Sequence, residues 1–396
     1  MIELLLFLVS IAVILVVSRK SLPLALFLGT LFLGITVIGV NETINQFEFT
    51  LSEPSVLLLA LTVAIIPLIG GIMEETGQME HLVKNLRIGK KPFLAFAPAF
   101  LGMLPMPGGA LMSAPLVEKA GRGIDATVKV AVNVWFRHVM LLVYPLAPSL
   151  IASAKIAGVG LYNAILWLFP FFLFSVLVGY WFFLRKVTGR IDYSESFSLK
   201  WLVVPLAVIL SAPLADLLLR ILLKPVPTES ATLAAVSLAL LLALLVGKPS
   251  SAKMLWVVRK MKPWNFSLII FGMFFFLYVF RASPLPQAIA VLSLNTAMLL
   301  VLLGFFLGFA TGRIQVPASI IVPVFLARHA LEAMPVLGFV VMYFSVFLGY
   351  IVSPVHPCVS VSLEYFKSGL LQYSKKLALP TTVSLAVAFA VVFFLL

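Results

Sequence analysis

Arg313 carries the most usable chemistry in this sequence. It follows Thr311-Gly312 and stands between two long apolar runs. A guanidinium grips a carboxylate or phosphate in a planar, two-pronged fashion. A charge in such surroundings is costly unless it is paired or used. His356 lies within Ser353-Pro354-Val355-His356-Pro357-Cys358. An imidazole there can carry a proton near neutral pH, touch a substrate, or bond to unwound backbone. Arg137-His138 stands about 12 residues into an apolar run that starts near 126, roughly 18 Å deep at helical rise. Arg137 either braces nearby carbonyls or contacts a ligand, and His138 is either a proton carrier or a satisfied buried histidine. Adjacent helical residues point about 100° apart, so the pair is expected not to share one cavity.

Lighter polar groups flank the same places. Ser149, Cys358 and Ser360 follow Pro-x-x-Pro breaks, and Ser113 and Ser319 follow glycine-containing clusters. Thr311 precedes Arg313, and Asn133 lies one turn before Arg137. Each serine has the alternative of bonding back to its own helix. Acids are expected at the margins: Glu74-Glu75 at the end of a span, Asp216 paired with Arg220, and Glu364 with Lys367. A scarcity of buried acids argues against a proton pump or a carboxylate-based cation antiporter. Four histidines without an acid pair do not assemble an enzyme site. The single Cys358 rules out an internal disulfide, and no Cys/His spacing suggests zinc.

The elements that must hold these residues are broken membrane segments. Of the 396 residues, 62% are hydrophobic and 11% charged, where soluble proteins carry about 25% charged. Apolar runs near the ~20 residues needed to cross a bilayer recur throughout. The first, residues 2–17, lacks a basic leader and a cleavage site and reads as a retained helix. The +13 net charge is then a topology signal, not a nucleic-acid one.

Helix breakers occur twice in matching order. One copy holds Pro107-Gly108-Gly109 and then Pro145 and Pro148; the other holds Thr311-Gly312-Arg313 and then Pro354 and Pro357. Gly39/Gly247, Phe100/Phe306, Pro115/Pro323, Pro145/Pro354 and Pro170/Pro380 share an offset of roughly 206 to 210 residues. The expectation is an all-α polytopic protein of about ten transmembrane helices plus two re-entrant hairpins, in two inverted repeats. Residues 1–190 form the first repeat, with three spans, a hairpin at 93–118, a broken span at 126–155 and a last span at 161–185. A cytoplasmic linker, 191–200, precedes the second repeat, 201–396, with three spans, a hairpin at 296–328, a broken span at 334–365 and a last span at 376–395. Returning hairpins gather most of the 28 basic residues on one side, the cytoplasm, and leave the acidic loop 41–53 outside with both termini. Hairpin tips expose helix N-termini that favour an anion. Paired breaks at matching depths are the pattern of a transporter site.

The motifs Leu104-Pro105-Met106-Pro107-Gly108-Gly109-Ala110, Ser353-Pro354-Val355-His356 and Glu364-Tyr365-Phe366 resemble a family of prokaryotic, often archaeal, membrane proteins in the ion transporter superfamily. The superfamily includes divalent carboxylate–sodium symporters, gluconate and citrate permeases and arsenite carriers. The resemblance covers the whole chain. It implies a homodimer through scaffold helices and an elevator-like transport domain of hairpins, broken helices and last spans. The dicarboxylate symporters carry Ser-Asn-Thr at tip and break; this chain does not, so their sodium sites do not carry over. Sodium remains possible on backbone carbonyls at the tips and breaks, and no other cofactor is implied. The function expected is secondary transport of a small organic anion, a carboxylate foremost, coupled to Na+ or H+. An inorganic oxyanion exporter or exchanger is the alternative, and a membrane enzyme or channel stands behind it.

Overall fold

A computed structural model describes residues 2–106, 109–191, 193, 196–222, 227–292 and 295–396. Among them every regular element is a helix. The chain opens with α1 (Ile2–Ser18), α2 (Leu22–Val37), α3 (Val40–Ser52), α4 (Pro54–Glu75) and α5 (Gln78–Lys84). Two arms follow, α6 (Lys90–Met103) and α7 (Gly109–Ala120), then a broken helix, α8 (Ala126–Val139) and α9 (Pro148–Ile156), and then α10 (Leu161–Gly179). The same order of ten elements comes again: α11 (Leu199–Leu222), α12 (Thr228–Gly247), α13 (Ser251–Met261), α14 (Pro263–Ala282), α15 (Leu285–Ala290), α16 (Gly304–Thr311), α17 (Gln315–His329), α18 (Val336–Val352), α19 (Pro357–Phe366) and α20 (Leu370–Leu395). Seven helices are long and apolar enough to cross a membrane, and α1, α2 and the 298–311 helix are shorter apolar ones.

Two stretches expected as loops are helices. Residues 41–53 fall mostly within α3, which turns Thr43 and Thr50 inward, and the basic stretch after Gly247 contains α13, which buries Val257 and Met261. Both are short and half polar, so they lack the apolar length that marks a span. They differ in sign: α3 carries Glu42 and Glu48, and α13 carries Lys253, Arg259 and Lys260. The α13 lysines pair with the end of α4, Lys260 with Glu74 at 2.9 Å and Lys253 with Glu75 at 3.5 Å. Glu364 and Lys367 meet only through a backbone bond, Lys367 N–H to the Glu364 carbonyl.

Asp216 is fully buried and held by three groups. Arg220 Nε donates at 3.0 Å, Thr232 Oγ1 at 2.9 Å and Tyr162 OH at 2.7 Å. These join the starts of α10 and α12 to the end of α11. Removing one partner of a buried pair leaves an uncompensated charge at about 3–5 kcal/mol. Asp216→Ala is therefore expected to lower the melting temperature of the purified protein sharply; an unchanged melting curve would refute the brace.

Small residues let the broken helices pack closely. A methyl on Gly102 of α6 would overlap the Arg137 carbonyl of α8, and one on Gly349 of α18 would overlap the Phe305 carbonyl of α16. The second arms cross over: α7 packs on α19, and α17 on α9. Each arm-pair thus lies against the break of the other half.

Candidate functional site

Both breaks are made by proline. Pro148 and Pro357 occupy the first turns of α9 and α19, where no intrahelical N–H is missed. Before them the backbone leaves the helix, and local groups take up the freed positions. At the second break, the Val355 N–H donates to Ser353 Oγ at 3.3 Å and the His356 N–H to the Ser353 carbonyl at 3.2 Å.

The second break lies between the two arm-pairs. On one side is the tip of α16–α17. Gly312 takes φ +58°, and a methyl there would stand 2.9 Å from the His356 nitrogen. Glycine fits because it accepts left-handed backbone and leaves room for that approach. On the other side Cys358 reaches the first arm-pair beside Ala110 and the Arg137 guanidinium. Gly109, which opens α7, lies so close that a methyl would overlap Arg137 Nη2.

Arg137 is only 4% exposed, and its Nη1 is buried without a hydrogen-bond partner. No described carboxylate forms an ion pair with it. Among the described residues its side-chain partner is Cys358, and no bond from the guanidinium to an arm-pair carbonyl is seen. Asn133 does brace the first arm-pair, donating to the Ala110 carbonyl at 3.2 Å and to Ser362 Oγ at 2.9 Å.

His138 and His356 meet with ring centroids 4.7 Å apart, and Tyr350 stacks on His356 at 3.9 Å. His138 Nδ1 bonds the Val134 carbonyl at 2.6 Å, and His356 Nδ1 the Tyr350 carbonyl at 3.0 Å. A carbonyl only accepts, so each Nδ1 carries the proton and each Nε2 is left for another partner. Arg137 and His138 reach the same break through different partners, as side chains about 100° apart on a helix would. Two break residues, Cys358 and His356, span the angle, and each meets one of them.

Arg313 lies half-buried just beyond Gly312, which itself abuts the His356 backbone, and its guanidinium makes no hydrogen bond among the described residues. His138, His356 and Cys358 each offer a ligand atom within 4.8 Å of the others, spacing that a soft cation would tolerate. Two nearby guanidinium groups tilt that centre toward an anion instead.

Of the remaining sequence candidates, Thr311 lies at the second tip, and Pro354, Pro357 and Ser360 lie in the second break. Ser113, Ser319 and Thr311 bond back to the carbonyls of Ala110, Val316 and Leu307. Ser149 meets the Tyr343 hydroxyl at 3.1 Å at the first break, next to Pro145 and Pro148. Ser360, like Pro357, is exposed, and Pro354 is half-buried. Pro107 and Gly108 lie outside the described residues. Tyr350, Ser362 and Tyr343 were not singled out from sequence. The available signal was a tyrosine one turn before Pro354 in a Phe- and Val-rich run, since a buried phenol needs a partner.

An all-helical body with many apolar spans and two proline-broken helices, one of them beside a buried arginine, is a multi-pass membrane protein of transporter fold. Two solved transporters share that fold. The YdaH transporter of Alcanivorax borkumensis superposes with a TM-score of 0.59 at 16% identity, covering 89% of this chain and 87% of that one. MtrF of Neisseria gonorrhoeae, described within a class of antimetabolite efflux pumps, gives 0.56 at 14% identity over 88% and 82%. The chain belongs to the family described as protein of unknown function DUF401, whose model matches residues 2–395. No curated protein matches it.

Proposed function

We propose that the chain is a secondary active transporter that moves a small organic anion, a carboxylate foremost, across the cytoplasmic membrane. The observation that carries this reading is Arg137, a buried guanidinium with an unpartnered nitrogen at the meeting of a helix break and an arm-pair tip. A buried charge without a partner is costly, and an anionic ligand would supply what the protein does not. Arg313 adds a second cation within electrostatic reach of the same break.

The arms support a hairpin reading. With 14 and 12 residues, α6 and α7 are roughly 21 and 18 Å long, short of the ~30 Å hydrocarbon core. Two such re-entrant hairpins and ten crossings give inverted repeats, with both termini outside and the linker in the cytoplasm. The acidic α3 and basic α13 then lie at opposite faces, as the positive-inside rule asks. The scaffold of first spans forms a homodimer, and the hairpins and broken helices move as an elevator. This arrangement resembles the ion transporter superfamily in design. Coupling is by H+ on the His138–His356 pair or by Na+ on carbonyls at the tips and breaks.

Proteoliposomes under a sodium or proton gradient, offered a panel of labelled carboxylates, are expected to accumulate at least one. No gradient-driven flux of any anion in either direction would overturn the proposal. Outward flux is included because MtrF is described as an efflux pump. Movement confined to inorganic oxyanions would favour exchange or export of that class.

A further inference from the structure

Away from the breaks, a cavity of about 470 Å³ opens where the end of α10 meets the start of α6, the turn after α7 and the first turns of α20. Among the described residues five cations line it, Lys90, Arg122, Arg185, Lys186 and Lys376, and no acidic side chain does. Among the described residues none of the five makes a salt bridge. Two are held in place without being neutralised: Lys90 Nζ donates to the Arg122 carbonyl at 3.1 Å, and Arg185 lies over the Trp181 ring at 4.5 Å. Five cations around one hollow, none paired with an acid among the described residues, repel one another, and a multiply bonding anion relieves that.

The cavity does not stand alone. Trp181 is both part of its wall and the end of an apolar stripe that runs along α10 into its π-helical continuation, Tyr180–Leu184. Leu166, Leu173, Leu177 and Trp181 share one helical face and are 69%, 46%, 65% and 57% exposed. A ligand with a phosphate at one end and hydrocarbon at the other matches both features at once. Basic pockets beside membrane helices recognise lipid headgroups in this way.

We propose that this cavity is a binding site for an anionic phospholipid. Its phosphate sits among Lys90, Arg122, Lys186 and Lys376, and its acyl chains lie along the exposed face of α10. The headgroup would tie α6 and the α7–α8 turn to the ends of α10 and α20. The site is independent of the transport reading and stands or falls without it.

The test uses the full-length purified protein in detergent micelles doped with phosphatidylglycerol, with phosphatidylcholine, or with inorganic phosphate alone. Phosphatidylglycerol is expected to raise the melting temperature and to remain bound in native mass spectrometry, while the other two do neither. Each cation near an anionic surface contributes enough that removing three weakens binding about 100-fold. Arg122→Gln/Lys186→Gln/Lys376→Gln should therefore lose the retained lipid yet melt like the parent in phosphatidylcholine. Should the triple variant not fold, Arg122→Gln alone is expected to lower lipid occupancy about fivefold. Equal stabilisation by phosphate alone would overturn the lipid in favour of a free anion. Equal retention of phosphatidylcholine, or retention unchanged in the variants, would overturn the site.

Discussion

Arg137→Gln is expected to make the substrate-free protein melt higher, not lower, and to reduce transport at least about 30-fold. Two opposed terms give this result. Without ligand, the guanidinium is 4% exposed and has an unpartnered Nη1, so deleting its charge relieves a desolvation cost. With ligand, the same substitution removes charge-assisted bonds whose loss costs about 2–5 kcal/mol, or roughly 30- to several-thousand-fold. Thermal melts with and without the transported anion separate the cases. If Arg137 is only a brace, the variant melts lower and its folded fraction still binds. Arg137→Lys restores charge without the planar fork and should recover part of the ligand response. Arg313→Gln, at a half-buried position, is expected to have the smaller effect.

Gly102→Ala and Gly349→Ala form the second large prediction. In each case the added methyl meets a carbonyl oxygen of the partner helix, Arg137 or Phe305, instead of a flexible side-chain end. Backbone in a packed helix cannot swing aside, so the helices must separate. Overpacking costs typically about 1–3 kcal/mol and more where nothing yields. Both variants should give little monodisperse protein and low melting temperatures. By contrast, a methyl at Gly338 meets only side-chain atoms at 3.7 Å or beyond, so Gly338→Ala serves as the tolerated control. Near-parental melting of Gly102→Ala would show that α6 and α8 are not held at this spacing.

Much of the fold could be read from residues because lipid leaves few options. Long apolar runs with few charges must be helices, and proline sets where two of them break. The polar α3 and α13 were missed because an interfacial helix lacks that apolar length and reads as a loop. The site was less legible, and for a different reason. Arg137, His138 and His356 stand out singly, as polar groups in apolar runs. Their grouping depends on contacts across more than 200 residues that no local pattern encodes. Sequence reasoning favoured Arg313 because it follows Thr311-Gly312 between two long apolar runs. The crossing of α7 onto α19 instead brings a first-half arginine to the second-half break. Arg137 and His138 come to one break without sharing a partner, because that break offers Cys358 and His356 at two angles.

Cys358 has one more consequence. It is the only cysteine in 396 residues, and it is half-buried, between Arg137 and the tip beside Ala110. These 396 residues therefore carry a single thiol, at the centre of the candidate site. A maleimide dye or spin label goes to one position without prior mutagenesis, and reagents confined to one side of the bilayer report from which side that centre is open.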